Sequence, residues 1–183
     1  MSPVDEIRRI FHRRVADAYF GESVSMTEHA LQAAYFARQE AAPTALIVAA
    51  LLHDIGHLLA NLPDDIADWT ADVHHEELGS QWLARRFGPE VSEPVRLHVA
   101  AKRYLCATDA QYFAKLSSAS VHTLKLQGGP MATHEVAMFE KERYCRQAVR
   151  VRQWDDQGKI AGLTTPSIED YAPLIETLTT RAG

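Results

Sequence analysis

The residues most able to do chemistry lie in the motif His53-Asp54-Ile55-Gly56-His57, which places two imidazoles and a carboxylate within five positions. The motif follows an apolar, helix-forming stretch, and residues four apart on a helix share one face. Imidazole and carboxylate ligands together suit iron, manganese or zinc. Further candidate ligands occur elsewhere in the chain, at His29, His75, His98, Asp155 and Asp156. Two metal ions need about this many donors, so the pattern indicates a dinuclear metal enzyme.

The surroundings of this motif favour a metal over a chance string. Burying a His-Asp pair without a compensating partner is costly, and a metal ion is a natural compensation. Asp54 can bridge two ions, because each of its carboxylate oxygens can bind one of them. On this interpretation His29 and His53 bind the first ion, and His75 and His98 bind the second.

Two of the candidate ligands have a competitor beside them. Asp155 can complete the first site from the end of a distant predicted helix, but the sequence leaves Asp156 as an alternative. In the same way, His74 competes with His75. Four histidines and two aspartates would leave open positions on each metal for substrate or oxygen, as a catalytic centre requires.

The composition indicates one domain, spanning 1–183. The 183 residues, 46% of them hydrophobic, suffice for a single hydrophobic core. The formal net charge of -5 offers no basic surface, so we expect no nucleic-acid partner.

Other features predict a soluble cytoplasmic protein without a membrane partner. Cys106 and Cys145 lack the spacing of a zinc site and are typical of reduced, buried thiols. The first residues are polar and acidic, unlike a signal peptide. The longest apolar run, 45–53, is too short to span a bilayer.

The hydrophobic periodicity is helical almost throughout, which predicts an all-α fold. An apolar stripe extends from Ile7 to Ala18, and Ser92 can cap a helix that carries His98. The other predicted helices cover 26–40, 44 to about 60, 75–87, 109–116, 134–154 and 168–180, the last with Ser167 and Asp170 as a capping pair. The segment 61–72 is predicted to be a loop, and 128–130 a helix breaker.

The order of the candidate ligands resembles the HD-domain superfamily of helical bundles, with a His, then His-Asp, then a later Asp. Most members of that superfamily are metal-dependent phosphohydrolases. The additional His75 and His98 resemble the subset that binds two metals.

A closer resemblance, over about 19–158, is to the HD-domain mixed-valent diiron oxygenases of organophosphonate catabolism. The segments that carry it are 28–32, 34–37, 49–57, 98–105, 116–117 with 119–120, 126–131 and 152–158. The two most specific are His98 to Lys102 and Gln127-Gly-Gly-Pro-Met131.

This resemblance implies cleavage of a carbon–phosphorus bond by O2. The substrate would be a 1-hydroxy-2-aminoethylphosphonate, giving phosphate and glycine, or its N-trimethylated analogue, giving glycine betaine. The implied cofactor is a pair of iron ions, Fe(II) and Fe(III). The implied ligands are His29, His53, Asp54, His75, His98 and Asp155, which favours His75 over His74 and Asp155 over Asp156.

The resemblance also implies substrate contacts. Lys102 lies one helical turn after His98, where its ammonium can hold a phosphonate oxygen. Tyr19 and Glu22 correspond to a pair near the iron and the substrate amine, and a carboxylate there would attract either ammonium form. Further phosphonate or hydroxyl contacts are implied for His57, Ser120, Thr123 and Gln127, with His57 and Lys102 as catalytic groups. The sequence does not decide between a primary amine and a trimethylammonium group.

Two other functions compete with this interpretation. The first is a phosphohydrolase of the same superfamily that acts on a nucleotide or phosphate monoester. The second is a binding module that has lost catalysis, which the six retained ligand positions disfavour. The segment after about Lys159 has no predicted role.

Overall fold

A computed structural model describes residues 2–13, 22–59 and 74–179, and within these ranges the chain forms eleven helices and no sheet. The helices are α1 Pro3–Arg13, α2 Met26–Gln39, α3 Thr44–Leu52, α4 Ile55–Leu59, α5 His75–Ala84, α6 Pro89–Thr108, α7 Ala110–Ala114, α8 Ser118–Leu126, α9 Thr133–Phe139, α10 Cys145–Gln157 and α11 Ile168–Leu178. The predicted all-α fold is confirmed. The predicted loop at 61–72 and the predicted contact Tyr19 lie outside the described residues, and the single-domain assignment stays a prediction.

The central helix is α3, whose residues from Leu46 to Leu52 are all buried. It packs against α2, α6, α10 and α11. Neighbouring helices fill the space around it with large side chains such as Trp154 and Tyr171. Because apolar helices surround α3, the polar residues at its carboxyl end are held inside the protein.

Helix α2 begins with a capping box. Ser25 Oγ accepts a hydrogen bond of 3.1 Å from Glu28 N, and Glu28 Oε2 accepts one of 2.7 Å from Ser25 N. These bonds satisfy amide groups that the first helical turn leaves unpaired. The cap fixes the start of α2 at Met26, three residues before the candidate ligand His29.

The helix predicted from 44 to about 60 is interrupted. Helix α3 ends at Leu52 and α4 begins at Ile55, with a turn at His53 and Asp54. At this turn His57 N donates to Asp54 O at 3.0 Å, the three-residue spacing of a tight turn. His53 and His57 therefore do not lie on one uninterrupted helix.

Two further helix predictions were wrong. The segment predicted as one helix over 134–154 is divided into α9 and α10, because Lys141 N and Glu142 N turn back to Met138 O and Phe139 O. Helix α6 begins at Pro89, with Gly88 as its cap, rather than near Ser92. Proline is well suited to the first helical position, since it has no amide hydrogen to leave unpaired.

Helix α8 was not predicted from the periodicity. Ser117 caps it and accepts a hydrogen bond of 3.1 Å from Ser120 N. The chain leaves α8 through Gly128 and Gly129, whose positive φ angles of 94° and 75° confirm the predicted breaker. At the other end of the chain, the predicted capping pair is present, with Ser167 N donating to Asp170 Oδ2 at 2.8 Å.

In the described part of the chain, no helix combines the length and the apolar character needed to cross a bilayer.

Candidate metal centre

The first group of candidate ligands joins α2 to the turn between α3 and α4. His29 Nε2 and His53 Nε2 are 3.0 Å apart. Asp54 Oδ2 lies 3.5 Å from His29 Nε2 and 3.3 Å from His53 Nε2. Both imidazoles are completely buried. Three donors of this kind, so close together, could hold one metal ion.

The second group contains the same aspartate with two later histidines. His75 is the first residue of α5, and His98 lies in the middle of α6. Their Nε2 atoms are 3.2 Å apart. Asp54 Oδ1 lies 3.4 Å from His75 Nε2 and 3.5 Å from His98 Nε2. One carboxylate oxygen of Asp54 thus faces each group, which is the orientation a bridging carboxylate would need.

In three of these rings, the other nitrogen, Nδ1, forms a hydrogen bond with a backbone carbonyl oxygen. His29 Nδ1 lies 2.8 Å from Gly158 O, His53 Nδ1 lies 2.8 Å from Ala50 O, and His98 Nδ1 lies 2.7 Å from Val95 O. A carbonyl only accepts, so each Nδ1 must carry the hydrogen. In the neutral imidazole, Nε2 then presents a lone pair, which is the arrangement found in metal-binding histidines.

The two converging pairs of Nε2 atoms fit a bound cation. Two neutral lone pairs 3.0 Å apart repel each other unless a proton or a metal ion lies between them. The buried carboxylates in contact with them also require positive charge. The residues of this centre therefore suit metal binding by their chemistry as well as by their spacing.

Asp155, at the end of α10, completes the first group. Its Oδ1 lies 3.4 Å from His29 Nε2, is buried, and forms no regular hydrogen bond with a described residue. Its Oδ2 accepts a hydrogen bond of 2.7 Å from Arg152 Nη1. Arg152 thus occupies one oxygen and leaves the other directed into the centre.

The competing residues are directed elsewhere. Asp156 accepts a hydrogen bond of 2.6 Å from the Tyr112 hydroxyl and two further bonds from Arg152. The His74 side chain is 73% exposed, with its Nδ1 3.7 Å from Glu76 Oε1. The structure therefore places Asp155 and His75, and not Asp156 and His74, among the converging groups.

The carboxylates of the centre make it strongly attractive to cations. Although burial alone would lower the pKa of His29, contact with Asp155 and Asp54 raises it to about 9. Burial would raise the pKa values of the Asp54 and Asp155 carboxyls, but the surrounding histidines, and Arg152 beside Asp155, hold both well below their usual range. Without a metal, a proton on His29 therefore provides part of the positive charge.

His57 lies beside the second group. Its ring stacks on that of His75, with 3.8 Å between the ring centroids and 20° between the planes. Burial and the neighbouring His75 lower the pKa of His57 well below its usual value. The imidazole is therefore neutral and offers one hydrogen-bond donor and one acceptor.

Lys102 lies beside two other residues for which substrate contacts were predicted. Its side chain is almost completely buried in α6, one turn after His98. Lys102 Nζ donates to Thr123 Oγ1 at 2.6 Å and to Gln127 Oε1 at 2.9 Å. Burial, with a contribution from nearby Arg152, lowers the pKa of Lys102 to about 7.

Glu22 lies at the other end of the same face of α8. Its Oε1 accepts a hydrogen bond of 2.7 Å from Ser117 Oγ and lies 3.3 Å from Lys159 Nζ. Lys159 Nζ in turn donates to Ser120 Oγ at 2.9 Å. The aromatic residues that could surround a trimethylammonium group, Tyr19, Phe20 and Trp69, lie outside the described residues.

Lys159 and Arg152 have no role that the sequence predicted. Arg152 could have been found, because it lies three residues before Asp155 on a predicted helix, a spacing at which side chains meet. Nothing in the sequence near Lys159 signals its contacts with Glu22 and Ser120.

Comparison with known proteins shows the family of this chain. The HD-domain family model matches residues 26–141. The chain is 48% identical over 173 residues to 1-hydroxy-2-(trimethylamino)ethylphosphonate dioxygenase (glycine-betaine-forming) of Leisingera caerulea, covering 94% of this chain and 88% of that protein. It is 46% identical over 160 residues to hydroxymethylphosphonate dioxygenase of Gimesia maris, covering 87% of this chain and 80% of that protein.

An uncharacterised protein of Acanthamoeba polyphaga mimivirus is 30% identical over 174 residues, covering 94% of this chain and 80% of that protein. The two named relatives favour the oxygenase interpretation of the sequence over the phosphohydrolase. The chain belongs to the HD-domain family, and within it to the group that includes these two phosphonate dioxygenases.

Proposed function

We propose that this protein is an iron- and O2-dependent oxygenase that cleaves the carbon–phosphorus bond of a 1-hydroxy-2-aminoethylphosphonate or its N-trimethylated analogue. The observation that carries the proposal is the arrangement of Asp54, which directs one oxygen to each of two histidine groups. The named activities of the two relatives support it. The products are inorganic phosphate and glycine, or glycine betaine from the trimethylated substrate.

The cofactor is a pair of iron ions in the Fe(II)/Fe(III) state. His29, His53 and Asp155 would hold the first ion, His75 and His98 would hold the second, and Asp54 would offer one carboxylate oxygen to each. When bound, the iron pair supplies redox chemistry with O2, which these side chains cannot supply themselves.

The chain's own residues bind and orient the substrate. Lys102 holds a phosphonate oxygen with its ammonium, together with Thr123, Gln127 and Ser120 on the adjacent face of α8. This fixes C1 beside the metal centre, and holding reacting groups in position lowers the entropic part of the barrier. Glu22 attracts the substrate's ammonium group by charge.

His57 orients the substrate's C1 hydroxyl. Its neutral imidazole lies against His75, at the edge of the second group, and can accept a hydrogen bond from that hydroxyl. The carboxylate and the phosphate together contain two more oxygen atoms than the substrate. One molecule of O2 therefore balances the reaction, and no further reductant is needed.

The test is phosphate release from three phosphonates by iron-loaded protein, with and without O2. The substrates are 1-hydroxy-2-aminoethylphosphonate, its trimethylammonio analogue and hydroxymethylphosphonate. We expect release only with O2. Hydrolysis of phosphate monoesters without O2, and no release from any phosphonate, would replace this proposal by the phosphohydrolase.

The same proposal places the enzyme in the cytoplasm, acting on a small molecule without a nucleic-acid or membrane partner. The net charge of -5 supports it, because a nucleic-acid surface is usually basic.

A further inference from the structure

The segment after α10 is attached to α2 on both sides of Lys159. His29 Nδ1 donates to Gly158 O at 2.8 Å. On the other side, Gln32 Oε1 accepts from Ile160 N at 2.9 Å, and Gln32 Nε2 donates to Ile160 O at 2.8 Å. Gln32 is itself buried. With both neighbours fixed to α2, the backbone at Lys159 has a defined direction.

The Lys159 side chain extends from this segment to α8 and Glu22. Its Nζ lies 2.9 Å from Ser120 Oγ and 3.3 Å from Glu22 Oε1. The two charged side chains are only 14% and 16% exposed. Charges that are mostly removed from water require compensation, and here each compensates the other.

A second ammonium approaches the same face of α8. Lys102 donates to Thr123 Oγ1, and Lys159 donates to Ser120 Oγ. Residues three apart on a helix have Cβ atoms about 5–6 Å apart. An anion over these two hydroxyls can therefore accept a charge-assisted hydrogen bond, about 2.8 Å long, from each ammonium.

We propose, on the basis of the function proposed above, that Lys159 is a second cationic contact for the substrate's phosphonate, and that a zwitterionic substrate replaces the internal Lys159–Glu22 ion pair. The phosphonate binds Lys159 together with Lys102. The substrate's ammonium takes the place of Lys159 beside Glu22. Each charge that the internal pair loses is thereby replaced by one from the substrate.

This exchange selects the substrate class. A phosphonate with an ammonium group supplies both charges. Hydroxymethylphosphonate supplies only the anion, so Lys159 leaves Glu22 without a cation and close to a new negative charge. The enzyme therefore prefers phosphonates that carry an ammonium group.

The exchange can be tested by calorimetric binding to iron-loaded protein without O2, where turnover is prevented. The ligands are hydroxymethylphosphonate and the trimethylammonio substrate. The site variants are Lys159→Met and Glu22→Gln. The matched control is Lys125→Met, which removes an exposed lysine from α8, the helix that the Lys159 side chain approaches.

The two site variants should change selectivity in opposite directions. Lys159→Met should weaken hydroxymethylphosphonate binding by roughly tenfold or more, the order expected for a charged hydrogen bond. It should weaken the trimethylammonio substrate less, because Glu22 no longer has a competing cation. Glu22→Gln should weaken the trimethylammonio substrate roughly tenfold and leave hydroxymethylphosphonate bound at least as tightly as in the wild type.

The proposal would be overturned if Lys159→Met bound both ligands as the Lys125→Met control does, or if Glu22→Gln left the ratio of the two affinities unchanged. If Lys159→Met does not fold, Lys159→Arg and Lys159→Gln provide a second pair, in which only the uncharged variant should lose affinity. These measurements require no turnover. Failure of the proposed function would instead be the absence of O2-dependent phosphate release by the wild-type protein.

Discussion

Gly56 lies so close to the backbone of His75 that a Cβ atom at position 56 would be 1.9 Å from the His75 carbonyl oxygen. The same atom would be 3.0 Å from His75 Cα. Gly79, one turn further along α5, is also close, since its own Cβ would lie 3.2 Å from Gly56 N. The glycine of the His-Asp motif therefore allows α4 to meet the start of α5, which brings His75 to Asp54.

From this contact we expect Gly56→Ala to displace His75 and weaken the second metal site. The atoms nearest to the added methyl group all belong to His75, so the first group should still bind one ion. The variant should retain about one iron per chain, where we expect the wild type to retain two. Overpacking of this kind should also lower the free energy of unfolding by about 1–3 kcal/mol. Metal analysis after desalting and thermal unfolding would measure the two effects.

Gly88→Ala is the matched control for this experiment. The three atoms nearest to a Cβ there all belong to the Glu90 side chain, which can move away. This control should keep two iron ions. A Gly56→Ala variant that also kept two would show that the Gly56–His75 contact does not position the second site.

The adjacent pair Asp155 and Asp156 provides a second prediction. Asp155→Asn should remove a donor of the first site, and we expect a loss of activity greater than the 10- to 100-fold that removal of an outer partner typically costs. Asp156→Asn changes only the contacts with Tyr112 and Arg152 and should retain both irons. Equal iron loss in the two variants would contradict the assignment of Asp155.

A third prediction concerns the pH dependence of metal binding. The pKa of His29 in the metal-free protein is about 9, because Asp155 and Asp54 stabilise its protonated form against the effect of burial. A metal must displace this proton. The affinity of the first site should therefore rise by up to about tenfold per pH unit from pH 7, and level off above about 9.

Calorimetry in buffers of different ionisation enthalpy measures the number of protons released. We expect about one proton from His29 at pH 7, and close to none from this residue at pH 10. Affinity that is constant between pH 7 and 9, with no proton release, would disagree with a protonated His29 in the metal-free centre.

Much of the metal centre could be predicted from the sequence because the pattern that indicates it is local. A His-Asp pair at the end of an apolar helix needs compensation wherever that helix is buried, and helical periodicity shows that it is buried. The choice of Asp155 over Asp156 could not be predicted this way. It depends on Arg152 and Tyr112, and Tyr112 lies on a different helix.

The structural features that the sequence did not predict depend on contacts between distant residues, or have no clear local sequence signal. The break between α9 and α10 occurs without proline or glycine, so the amphipathic pattern continues across it. The placement of Lys159 depends on bonds between Gln32 and Ile160, which are 128 residues apart. The turn at His53 and Asp54 is equally invisible to hydrophobic periodicity.

The last prediction concerns Lys102. Burial, with Arg152 nearby, lowers the pKa of its ammonium to about 7, so the group is charged below that pH and neutral above it. If the charged form binds the phosphonate, kcat/KM should fall as the pH rises above about 7, since this ratio reports groups of the free enzyme. The arginine of Lys102→Arg stays charged over this pH range, so kcat/KM of the variant should not fall as the pH rises. Its different geometry should lower kcat/KM at every pH. Phosphate release from pH 6 to 9 measures both profiles, and the same decline in Lys102→Arg would assign the ionisation to another group.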